Sequence, residues 1–70
     1  MKQDQAQAQG FDVCLRIKHV VAVTGLSRST IYRLMNMGKF PKSIKLTPFC
    51  VVWRNSAVQS WIDERERQSQ

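Results

Sequence analysis

The chain has 70 residues, with 11 Lys and Arg against five Asp and Glu, and a formal net charge of +6. That length allows one domain with a small core, close to the size at which folding alone becomes marginal. Two cysteines without a C-x-x-C pair, and a single histidine, argue against a structural zinc site, which needs four ligands at close paired spacings. A Cys14–Cys50 disulfide requires both residues to flank one sheet and an oxidising compartment, so small apolar roles fit both cysteines better.

The charge is unevenly placed. From Val13 to Ile62 there is no Asp or Glu, whereas Arg16, Lys18, Arg28, Arg33, Lys39, Lys42, Lys45 and Arg54 all fall there. The acids Asp4, Asp12, Asp63, Glu64 and Glu66 sit at the ends. A basic folded middle without acids attracts phosphate. The N-terminus has no apolar signal region, and the longest apolar run, Phe49–Trp53, falls far short of the roughly 20 residues that span a bilayer. The expected location is the cytoplasm, with no membrane contact.

Residues 1–11 alternate Gln with small or polar residues and read as a flexible tail. Residues 12–66 read as the folded domain and 67–70 as a flexible C-terminus. Val13–Arg16 reads as a short strand or an extended lead-in. A first helix follows over about Ile17–Thr24, with Ile17, Val20, Val21 and Thr24 at helical spacing and Gly25 as its stop. Its β-branched residues give it poor intrinsic helix propensity.

Leu26 is the apolar residue of the next turn, and Ser27 is a good N-cap. The second helix spans about Arg28–Met37, with Ile31, Leu34 and Met35 on its buried stripe and Gly38 as its stop. Arg28, Ser29, Tyr32, Arg33 and Asn36 fall on the opposite face. Phe40-Pro41 then imposes extended backbone. Ile44–Leu46 and Val51–Trp53 read as a hairpin with Thr47-Pro48-Phe49-Cys50 at its tip. The third helix starts near Asn55 or Ser56, with Ser56 and Gln59 as a capping box and Val58, Trp61, Ile62 and Arg65 facing inward. The expected core is Val20, Val23, Leu26, Ile31, Leu34, Phe40, Ile44, Leu46, Val51, Trp53, Val58, Trp61 and Ile62. His19 reads as an exposed helix residue.

Helix, turn, helix, hairpin, helix is the layout of a winged helix-turn-helix domain: mainly α, three helices plus a small β-hairpin wing. The outward face of the second helix has the chemistry of a major-groove reader. Arg33 can make a bidentate contact with guanine, Asn36 can pair with adenine, and Ser29 can reach a base or a phosphate. Tyr32 and Arg28 suit phosphates or thymine methyls. Lys39, Lys42, Lys45 and Arg54, in the wing and beside it, would follow the backbone. No paired carboxylate, Gly-rich phosphate loop or serine with an evident base supports an enzyme. No cofactor is implied.

The run LRIKHVVAVTGLSRSTIYRLMNMGKFPKSIKL, followed by VVWRNSAVQSWIDER, resembles the AlpA family of phage and prophage regulators. The resemblance covers about Leu15–Arg65. Its most specific pieces are TGLSRSTIYRL, GKFPKSIKL and the W-R-x-S-x-V-x-x-W-I spacing from Trp53 to Ile62. It implies a winged helix-turn-helix related to excisionases and to the DNA-binding heads of MerR-type regulators, with a role in mobile-element control. By position it puts recognition-helix contacts on Arg28, Ser29, Tyr32 and Arg33, and wing contacts around Lys42 and Lys45. The chain departs from the family at the hairpin tip, where Thr47-Pro48-Phe49-Cys50-Val51-Val52 replaces the usual Gly and Arg. Such an apolar tip can pack on a second protomer, wedge into the minor groove, or fold back onto the domain.

Three functions share this pattern. The first is a transcription regulator that binds double-stranded DNA, as more than one copy, and contacts RNA polymerase. The second is an excisionase-type protein that bends DNA and recruits an integrase. The third is an inhibitor that docks on another regulator through an exposed patch of Phe49 and Val52.

Overall fold

The computed structural model describes residues 12–69, so the expected tail over 1–11 lies outside the described residues. Strand β1 (Cys14–Leu15) leads into helices α1 (Ile17–Thr24) and α2 (Arg28–Asn36); β2 (Ile44–Thr47) and β3 (Cys50–Arg54) form the hairpin, and α3 (Asn55–Gln68) closes the chain. The strands make one antiparallel sheet in the order β1-β3-β2. Three helices with a small antiparallel sheet and a projecting hairpin constitute a winged helix-turn-helix.

Local signals set most of the boundaries. Helix α1 forms despite its β-branched run because Val20 is fully buried against the rest of the core, so tertiary packing outweighs propensity. Gly25 ends α1 at φ 78°, where its N–H donates to the Val21 carbonyl at 2.8 Å. Gly38 takes φ 72° after α2. There the Lys39 N–H donates to the Leu34 carbonyl at 2.8 Å and the Gly38 N–H to the Met35 carbonyl at 3.0 Å, the paired bonds of a Schellman cap.

Val20, Ile31, Phe40, Trp53 and Val58 form the buried core, with Leu15, Ile17, Val21, Leu26, Leu34, Met35, Val51, Trp61 and Ile62 packed around it. The segment between α2 and β2 is tied down by two indoles. The Trp61 Nε1–H donates to the Lys39 carbonyl at 2.7 Å, and the Trp53 Nε1–H to the Pro41 carbonyl at 3.1 Å. Between these two bonds, Phe40 meets Trp61 edge to face at 4.9 Å between centroids.

The structure corrects several expectations. Val23, Ile44 and Leu46 are 42%, 36% and 57% exposed and do not belong to the core. Val23 falls off the face of α1 that carries Val20, while Ile44 and Leu46 lie on β2, an edge strand exposed along its whole length. Val52, read as an exposed patch residue, is only 3% exposed. It alternates with Val51 and Trp53 on the central strand, whose other face is also covered.

The expected capping box of α3 is absent. Asp12 does that work from the other end of the chain. Its carboxylate accepts from the Ser56 N–H at 2.9 Å and the Ser56 hydroxyl at 2.7 Å, and it lies 3.6 Å from Arg54. Helix α3 also continues past residue 66, through Arg67 and Gln68, with Arg67 paired to Glu64 one turn back. Both cysteines are free. They flank one sheet, but Cys14 is level with Arg54, and Cys50 lies four residues further along β3. At about 3.3 Å per residue that separation is roughly 13 Å, beyond disulfide reach.

The Ser56 hydroxyl and N–H, and then Arg54, hold the Asp12 carboxyl below its ordinary value of 3.8. A depressed folded pKa adds stability above the unfolded pKa of about 3.9 and loses it as pH falls through the folded value. In urea unfolding, Asp12→Asn is expected to be less stable than the parent at neutral pH and to converge on it as pH falls below the ordinary carboxylate value and through the depressed folded one. Equal gaps at neutral and acid pH would remove Asp12 from that role. Trp53→Phe removes an N–H from a fully buried site and leaves the Pro41 carbonyl without its donor. The expected cost is roughly 2–4 kcal/mol, read as a lower urea midpoint.

Candidate nucleic-acid interface

Helix α2 is built to show one polar face. Ser27 caps it, accepting from the Thr30 N–H at 3.2 Å, and also bonds the Thr30 hydroxyl at 2.9 Å. The preceding turn is fixed by Thr24, whose hydroxyl donates to the Val20 carbonyl at 2.8 Å and accepts from the Leu26 N–H at 3.2 Å. Ile31 is fully buried, and Leu34 and Met35 pack beside it. These contacts fix the rotation of α2, so its opposite face has to point outward.

That outward face carries Arg28, Ser29, Tyr32, Arg33 and Asn36, which line one shallow continuous surface together with Ser27 and Met37. Tyr32 has a double position. Its ring meets the buried Trp53 edge-on at 6.0 Å, and its hydroxyl makes no hydrogen bond among the described residues. The phenol is therefore anchored by the core and available at its tip.

The remaining sequence-predicted residues divide. Lys42 lines a groove with Asn36, Met35, Gly38 and Ser43, which carries the α2 surface on to the base of the wing. Lys45 sits on exposed β2, opposite Val51. Lys39 lies in a different hollow, beside Phe40, Ala57, Ser60 and Glu64 on the α3 side. Arg54 is at the base of β3, paired with Asp12. The structure thus joins five helix residues and Lys42 into one surface and places Lys39 and Arg54 apart from it.

Two further cations lie beside this surface. Arg16 and Lys18 gather with Arg28 around a small hollow at the start of α1. Their membership of the acid-free stretch was the available signal; the fold supplies the proximity across the helix-turn-helix. Among the described residues the ion pairs are Arg54 with Asp12 and Arg67 with Glu64. Arg16, Lys18, Arg28, Arg33, Lys42 and Lys45 therefore have no acidic partner among the described residues. A face of unneutralised cations, short hydroxyls and one amide can bond phosphate oxygens and base edges.

Fold and surface define a winged helix-turn-helix with a basic, acid-free outer helix. The sequence profile of the family described as "Prophage CP4-57 regulatory protein (AlpA)" matches residues 13–66. The chain belongs to this family of prophage regulatory proteins. It is also 43% identical over 51 residues to "Uncharacterized protein ORF88" of Enterobacteria phage P4, a match covering 73% of this chain and 58% of that protein. The chain thus aligns with less than two thirds of that relative's length. Among the described residues, no helix is long and apolar enough to cross a membrane.

Ser27→Ala removes the cap of α2 and its bonds to Thr30. The expected loss is about 1 kcal/mol. For a domain this small that corresponds to a fall in Tm of about 4–8 °C, measurable by circular dichroism. An unchanged Tm would show that α2 does not depend on this cap.

Proposed function

We propose that the protein is a sequence-specific DNA-binding regulator of a phage or prophage element, reading the major groove with α2 and the backbone with the wing. One observation carries this reading: Arg28, Ser29, Tyr32, Arg33 and Asn36 share an exposed face without an acidic partner among the described residues. A solvated helix face normally mixes acids with bases, and a face meant for phosphate excludes acids.

In this reading Arg33 bonds guanine O6 and N7, and Asn36 bonds adenine N6 and N7. Arg28, with Arg16 and Lys18 beside it, holds phosphates at the N-terminal end of the helix. Lys42 and Lys45 hold phosphates along the wing. One module of this size contacts few base pairs, so binding as two or more copies on repeated half-sites follows. Contact with RNA polymerase would make it a transcription regulator, and contact with an integrase an excision factor. The DNA face is the same in both.

The test is selection from a random duplex pool at two salt concentrations, followed by titration of the enriched duplex and of random duplex. Arg33→Ala is expected to lose about 1–3 kcal/mol on the enriched duplex and little on random DNA, with relaxed base preference. Lys45→Ala is expected to weaken both alike and to reduce the salt slope by about one. Equal losses on both duplexes for both variants would overturn this division of roles. Failure of the parent chain to bind any duplex would overturn the proposal.

A further inference from the structure

The most exposed large apolar side chain in the described structure is Phe49, at 92%, on the tip of the wing. It does not fold back onto the domain. Three features hold it out. Pro48 fixes its own φ near −65°, and among the described residues none other than glycine has positive φ, so the primed turns usual in two-residue hairpin loops are not used. The ladder instead shifts register at Leu46, between the Lys45–Val51 and Thr47–Cys50 pairs. A shift of this kind increases local twist and re-aims the tip. Finally, the Phe49 N–H donates to the Thr47 hydroxyl at 3.1 Å, which steadies the turn beneath the ring.

The tip itself is uncharged, and the cations of the wing lie below the ring. Lys45 lies on the same hairpin, and Lys42 at its base continues into the α2 surface through Asn36. A second copy of this chain on the wing would bring another acid-free hairpin with its own Lys42 and Lys45 against this one, adding like charge to like charge. Duplex DNA satisfies both parts of the surface: phosphates for the lysines and stacked base pairs for the ring.

We propose that Phe49 is a wedge that enters the minor groove, partly unstacks one base step, and bends the duplex towards the helix face. The inference rests on the DNA-binding reading above and adds a bend to it. Flexible pyrimidine–purine steps would accept the ring at least cost, which would give sequence preference where no base edge is hydrogen-bonded. Leu46, more than half exposed on the same strand pair, is placed to flank the opened step.

The experiment uses the full chain, its F49A and F49L variants, and a 30-base-pair random-sequence duplex pool labelled at its ends with a fluorescence donor and acceptor. Anisotropy reads binding and energy transfer reads bending. Because Phe49 is outside the core, F49A is expected to fold with the parent's Tm. The parent chain is expected to bind and to shorten the end-to-end distance. F49A is expected to bind roughly tenfold more weakly and to leave the distance unchanged at saturation, while F49L keeps part of the bend.

Binding by the parent chain without shortening, or shortening by F49A equal to the parent's, overturns the wedge and leaves the DNA-binding reading intact. No binding by the parent chain overturns both. Sedimentation of the free proteins supplies the remaining arm: a parent dimer that F49A converts to monomer assigns the tip to a second copy and overturns the wedge.

Discussion

Two indole N–H groups fix the link between the outer helix and the wing. Trp61 holds the Lys39 carbonyl, Trp53 holds the Pro41 carbonyl, and Phe40 is buried between them. The link is short and leaves a Schellman cap at Gly38, so its direction depends on those two bonds and one ring. Tyr32 adds to the same assembly by meeting Trp53 from α2. This aromatic group therefore ties the position of the wing to that of the helix face. In a DNA reader, that relation sets whether the helix and the wing can occupy neighbouring grooves together.

The core is small, and the molecule concentrates it. Five buried side chains from both long helices, the link, β3 and α1 meet at Trp53. The wing's outer strand contributes nothing to this cluster, and its four residues are all exposed. Helix-turn-helix and wing thus have different physical roles. The first is rigid because it is packed; the second projects because it is not, and holds its shape through a proline turn and a ladder.

The acids complete the picture. Asp12 caps α3 and pairs with Arg54, and Glu64 pairs with Arg67 on the last helix. They lie at the chain ends in sequence and on α3 or its cap in space. The surface from Arg16 through α2 to Lys45 is left with cations that have no acidic partner among the described residues. Clearing acids from one side raises the local positive potential without changing the fold, at the expense of self-repulsion that a small domain tolerates only with a firm aromatic core.

Much of this was legible in the sequence, because many of the determining signals act within a few residues. Glycine stops, the Ser27 cap, the pre-proline link and the helical stripes gave α1 its observed bounds and α2 and the hairpin nearly so, and the periodicity of α2 alone put Arg28, Ser29, Tyr32, Arg33 and Asn36 on one side. Three things were not legible. Asp12 reaches a helix start 44 residues away, which displaced the local Ser56–Gln59 capping box. The central position of β3 buried Val52 and left Ile44 and Leu46 outside, since alternation tells which residues share a face but not which faces are covered. Arg16 and Lys18 joined Arg28 only through the packing of α1 beside α2, while Arg54 and Lys39 were drawn to other neighbours. The sequence by itself determined the elements, their order and the chemistry of the outer helix, because these depend on short-range backbone and side-chain preferences. Only the tertiary structure decided which cations share a surface and which apolar residues stay in water, because that depends on contacts between segments far apart in the chain.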